Sequence, residues 1–222
     1  MTPLRNLRPK SRPCNKRQLG NVMLEFAIVA PMLAVTLLGV VGVGFTLGRT
    51  IQVNQVTRDA AKLFFDGVDL SQGNSQKLIG RLGWGMGLST DASGTIDTAG
   101  KGVVILSQII HVGANECAAG GYPNTGSCPN FNQLVVQKRI VIGNTSLRSS
   151  RFGSPIVGIL QADGAIRPAD FCTDSSVLVP AGSPPTLLNL APGQFTYGVE
   201  SFFVMPELVK FLAHEAYSFL LL

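Results

Sequence analysis

Few side chains stand where they could do chemistry, and the first of them is Glu25. It interrupts an apolar stretch that opens with Val22, Met23 and Leu24 and resumes at Phe26. At the edge of such a run a carboxylate can sit at a membrane interface at little cost; within it, an ionisable group points to a specific partner. Gly20 lies five residues earlier. Hydrolysis of the peptide bond after Gly20 would leave Asn21 with a new cationic amine, one helical turn (i, i+4) from the Glu25 carboxylate. The spacing favours the partnered reading.

The remaining reactive types are cysteine and histidine. Cys117 and Cys128 enclose a polar loop with Tyr122-Pro123-Asn124 and Gly126, and a disulfide between them is expected in an exported region. The alternative is two unpaired thiols; a separation of 11 with no histidine nearby argues against zinc. Cys172 is then either free or pairs in place of one of the two, and Cys14 lies in the basic N-terminal arm. His111 stands in a strand-like run and His214 in an apolar tail, neither beside a nucleophile pattern. No phosphate-binding glycine loop, paired-histidine metal motif or nucleophile elbow is present. The expectation is a protein without catalytic residues, cofactor or metal, although a constellation assembled only by the fold leaves no spacing to read.

The elements that must position these residues follow from charge and hydropathy. The formal net charge is +5, yet Arg5, Arg8, Lys10, Arg12, Lys16 and Arg17 all precede Gly20 without an acidic companion. Setting those 6 aside leaves 12 basic against 13 acidic residues, a balance of −1. The basicity belongs to one arm, and its place before an apolar span marks an orientation signal rather than a nucleic-acid tail. From Phe26 to Leu47 there are 22 residues without a charge. As a helix they reach about 33 Å, enough to cross a hydrocarbon core of about 30 Å. A secretory signal would be shorter and end in a small-residue cleavage site, whereas this run leads into Arg49-Thr50-Ile51. The positive-inside rule sets the N-terminus in the cytoplasm and everything after Arg49 outside. Pro31 removes a backbone hydrogen bond within the span, and Gly44 with Gly48 forms a small-xxx-small pair.

The run Gly20-Asn21-Val22-Met23-Leu24-Glu25-Phe26-Ala27-Ile28-Val29-Ala30-Pro31 resembles the N-terminal signature of TadE-like pseudopilins, the minor pilin-like proteins of tight-adherence (Flp-type IV) pilus systems. The match extends over about residues 15 to 65. Asn21 departs from the apolar first residue common among major pilins. The resemblance implies that a prepilin peptidase removes Met1–Gly20 and that Glu25 pairs with an N-terminal amine, its own or a neighbouring subunit's, during assembly. It implies partnership with the cytoplasmic membrane, other pilin-like subunits and the pilus assembly machinery.

After Arg49 the helix is expected to continue in water. Ile51, Val53, Val56, Ala60, Leu63 and Phe64 form an apolar face, with Gly67 as the stop. Residues 67–101 carry many Gly, Ser, Thr and Asp around Leu82-Gly83-Trp84-Gly85-Met86, in which Trp84 is either a binding aromatic or a core or loop anchor. Strands are predicted over Gly102–Val112, Leu134–Ile142 and Phe195–Val204, with another near Val177-Leu178-Val179 and long loops over 143–194. Glu207, Lys210, His214 and Glu215 interrupt the apolar tail Met205–Leu222, which reads as a second anchor or, more readily, as an amphipathic helix on the sheet or the membrane surface. The predicted fold is α+β: a leader over 1–20, a membrane helix over 21–48, its amphipathic continuation over 49–67, and a small antiparallel β-sheet domain over 68–222. A membrane-anchored binding or scaffold protein unrelated to pili is the alternative function, and a tethered enzyme the third.

Overall fold

A computed structural model describes the backbone of residues 16–180, 189–204 and 215–222, with side chains from residue 22 onward. The leader to Asn15 with Cys14, the side chains of Lys16–Asn21, and Glu207, Lys210 and His214 of the tail lie outside the described residues. The chain divides into two compact units, Met1–Gly44 and Phe45–Leu222.

Helix α1 occupies Lys16–Phe65 and contains Pro31. In the first unit its described large apolar side chains are exposed: Val22, Phe26, Leu33, Leu37 and Val40 are each more than 60% exposed. An apolar surface of this extent needs cover, and a bilayer supplies it. Val22–Phe65 is, among the described residues, the one helix long and apolar enough to cross a membrane.

In the second unit the same helix changes character. Val53, Val56, Thr57, Ala60, Ala61 and Phe64 recur at intervals of three or four residues and are all buried, whereas Ile51 stays exposed. The helix stops in a Schellman arrangement: Val68 N donates to Leu63 O and Gly67 N to Phe64 O, with Gly67 at a φ of 78°. Only glycine takes that left-handed turn without strain.

A four-stranded antiparallel sheet in the order β2-β1-β3-β4 forms the body: β1 Gly102–His111, β2 Leu134–Gly143, β3 Phe195–Val204 and β4 Glu215–Leu221. Both faces are covered. Val104, Leu106, Ile140, Ile142, Val199, Phe203 and Ala216 join the buried face of α1, while Val103, Ile105 and Phe202 pack beneath Leu147 and Tyr217 on the reverse side. A register shift between Gln108 and Ile109 separates a third cluster, in which Ile110, Val135 and Val136 meet α3 (Ala114–Ala119) and α4 (Pro168–Thr173).

Three segments differ from the sequence reading. The end of the tail is neither anchor nor amphipathic helix: Glu215–Leu221 is an edge strand whose Tyr217 and Leu220 pair with Phe202 and Val199. Residues 175–179 make no strand, because Ser175–Val177 is a 3-10 turn capped by Asp174 and only Leu178 forms a bridge, to Val135. Within the glycine-rich 67–101 stretch lies helix α2, Gly73–Gly83. Its Gly80 and Gly83 replace side chains that would stand 2.3 Å from Gly94 O and 2.7 Å from Leu88, so the glycines allow contact rather than a loop.

Candidate functional site

Gly20, Asn21 and Glu25 all fall within α1, so the proposed scissile bond and the acid lie on one helical segment. Glu25 is exposed, flanked by exposed Leu24 and Phe26. Four residues of helix rise separate Asn21 from Glu25, about 6 Å along the axis. A carboxylate presented among lipid-facing side chains is poorly solvated unless a cation joins it. The arrangement therefore provides an acceptor for a positive group.

Three cysteines come together within the third core cluster. Cys117 on α3 and Cys128 form a disulfide. Buried Cys172 on α4 brings its sulfur within 4.8 Å of both of theirs. Its thiol donates to Glu116 O at 3.4 Å, and burial, with the charge of Glu116 as a lesser cause, pushes its pKa up. A thiol held protonated is a poor nucleophile and a poor metal ligand. The disulfide already uses the other two sulfurs, so the cluster is a brace joining α3, α4 and the 128–130 turn.

His111, at the end of β1, is also a brace. Its Nδ1 lies 2.7 Å from Leu190 O and its Nε2 3.1 Å from Asn132 Oδ1. Both ring nitrogens are thereby engaged in holding loops against the sheet.

A polar centre missed from the sequence surrounds Glu200, which is 2% exposed in the middle of β3. Its carboxylate accepts from Ser150 Oγ, from Arg151 N at 3.2 Å and from Tyr217 Oη at 2.8 Å. Arg148 stacks over the Tyr217 ring at 4.2 Å and Arg151 at 4.8 Å. Burial, and then the hydrogen bond to Glu200, raises the Tyr217 pKa well above the ordinary phenol value. Arg139, buried on β2, donates to Gly153 O at 3.1 Å; desolvation draws its pKa down to about 10 against the attraction of Glu200. A neutral phenol and a saturated carboxylate suit pinning the 147–153 segment to the sheet, not proton transfer. The only sequence signal was one acid inside the apolar run of β3, and its partners lie up to 50 residues away.

Where α1 meets the sheet, a cavity of about 160 Å³ is lined by Arg49, Val53, Met86, Lys101 and Phe203. Arg49 Nη1 donates to Gly85 O at 2.6 Å, and the adjacent Trp84 is 51% exposed. Among the described residues, Arg49 and Lys101 are the charged side chains that line it.

Among the described residues, one helix is long and apolar enough to cross a membrane, and its continuation packs on a four-stranded sheet with braced loops. Residues 20–62 match the family model described as TadE-like protein. That stretch begins at Gly20, includes Glu25 and the apolar span, and ends within the buried face of α1. No curated protein and no solved structure matches the chain.

Proposed function

We propose that this protein is a minor pilin-like subunit of a tight-adherence (Flp-type) pilus, serving in the fibre or its assembly, and that a prepilin peptidase cuts it after Gly20. The observation that carries the reading is the TadE-like match over 20–62, which starts at the glycine of the cut and contains the acid five residues beyond it. In this reading the basic leader holds the N-terminus in the cytoplasm, α1 spans the inner membrane, and the sheet domain stands outside. Processing exposes the Asn21 amine, which pairs with Glu25 of its own or a neighbouring helix; each charge alone would be poorly solvated in hydrocarbon. The domain after residue 62 supplies a surface for other pilus components and no catalysis.

Co-expression with a prepilin peptidase, followed by intact-mass measurement of the membrane fraction, tests the proposal. Loss of residues 1–20, abolished by Gly20→Ala, is the expected outcome. An unchanged mass in a host whose peptidase processes a control prepilin would overturn it and favour an unprocessed membrane-anchored scaffold.

A further inference from the structure

Trp84 is unexplained by the reading above. It is the single tryptophan of the chain, flanked by Gly83 and Gly85, and it is half exposed at the end of α2. Leu78 and Leu82 lie one turn apart on the same helix and are 43% and 45% exposed. They have no way inward. The opposite face of α2 is held by Ile79, Gly80 and Gly83, with the two glycines in contact distance of Gly94 and Leu88. Rolling the helix over would drive leucine side chains into that backbone. The molecule thus holds three large apolar side chains, Leu78, Leu82 and Trp84, exposed within one short stretch of chain.

Its location says what covers it. Phe45 and Leu47, both exposed, are the last large apolar residues of the span, and Arg49 follows two residues later. The Arg49 guanidinium donates to Gly85 O at 2.6 Å. That bond sets the Trp84–Gly85 peptide within one arginine side chain of the point where the apolar run ends. Lys77 and Arg81 neighbour the leucines on α2, with Arg81 Nε donating to Ser93 O at 3.0 Å, and Lys101 lines the same cavity as Arg49. Asp91 and Asp97 belong to the turns that follow, so the region is amphiphilic rather than strongly basic. Asp91 accepts from Ser93 Oγ and Thr95 N, and Asp97 from Ala99 N. An exposed indole beside exposed leucines and cations is the composition that settles at a headgroup layer, where the ring is half wet and the cations meet phosphates.

We infer that α2 and the Trp84–Met86 turn form an interfacial foot: Leu78, Leu82 and Trp84 dip into the phospholipid headgroup layer of the leaflet from which α1 emerges. The foot rests on the membrane-spanning reading of α1. It gives the sheet domain a second contact with the bilayer.

The single tryptophan makes the test direct. The full chain is reconstituted in phosphatidylcholine–phosphatidylglycerol vesicles, washed with alkaline carbonate, and its emission is read with lipids bearing a quencher near the headgroup or deep in the acyl chain. The expected result is blue-shifted emission, quenched at least twofold more by the shallow label than by the deep one. Leu78→Gln with Leu82→Gln, both at exposed positions, is expected to weaken that quenching while leaving the alkaline-resistant fraction unchanged. Retained protein whose emission resembles free tryptophan and responds only to aqueous iodide would overturn the foot. So would blue-shifted emission that ignores both lipid labels, which is the mark of burial against a second protein. Release of the chain by the alkaline wash would overturn the spanning reading itself, and the foot with it.

Discussion

Glu25 and Glu200 are both acids set in apolar runs, and the structure gives them opposite surroundings. Glu200 has its partners within the fold, whereas Glu25 is exposed on α1 between exposed Leu24 and Phe26. Glu25→Gln keeps the shape and removes the charge. The expected outcome is unchanged carbonate-resistant insertion, with incorporation into isolated pili reduced at least tenfold; normal incorporation would eliminate the ion pair from the assembly mechanism. Around Glu200 the titrating group is Tyr217, whose folded pKa is raised by burial and by donation to the carboxylate. A raised pKa means that the folded state keeps a proton which the unfolded chain releases above its ordinary value of about 10. The associated stability is therefore complete below that pH and falls away as pH climbs beyond it. Denaturant midpoints measured from neutral to strongly alkaline pH should drop more steeply for the native chain than for Tyr217→Phe; parallel curves would show that the phenol is not held neutral. The acid in β3 was visible in the sequence, but its role was not, because Tyr217 reaches it only through the β3–β4 pairing and Ser150 only from the loop folded over the sheet.

Elements were legible to the degree that their information is local. The membrane helix, its amphipathic continuation to Gly67 and strands β1 to β3 were readable, since each is an apolar run or periodic face bounded by turn residues. Strand β4 was not. Ala216, Tyr217, Phe219 and the leucines after it form an apolar run broken only by Ser218, with no clear alternation, and the register against β3 makes it a strand. Helix α2 was hidden for a different reason: its Gly73, Gly80 and Gly83 lower helix propensity by about 1 kcal/mol each, and tertiary contact supplies the compensation. Close contact also decides Gly198 on β3, where an added Cβ would lie 2.9 Å from the fully buried Phe152 ring. Phe152 belongs to the segment pinned by Glu200, so a side chain at 198 displaces that whole cover. Gly198→Val is expected to cost about 2 kcal/mol through overpacking and to lower the melting temperature by roughly 4–8 °C. An unchanged melting temperature by calorimetry would mean the 147–153 cover repacks freely.

At the scale of the molecule, the boundary that matters physically is not the end of the membrane-crossing run. The second compact unit begins at Phe45, so the continuation of α1 belongs with the sheet. Val53, Val56 and Phe64 are at most 5% exposed, packed in one cluster with Val104, Leu106, Val199 and Phe203. Burying three such side chains contributes on the order of 5–8 kcal/mol, which is comparable to the net stability of an ordinary domain. The disulfide cannot substitute for that loss, because Cys117 and Cys128 brace the third cluster at the far side of the register shift. Two shortened chains separate these contributions. A chain of residues 49–222 retains the packed face of α1 and is expected to be soluble and to unfold cooperatively by circular dichroism. A chain of residues 68–222 bares the apolar α1-facing side of the sheet. It is expected to bind a hydrophobic dye, lose its cooperative transition and aggregate, even with the Cys117–Cys128 bond intact. Cooperative unfolding of the 68–222 chain at a similar temperature would show that the sheet carries its own core and that α1 beyond Arg49 is only a stalk.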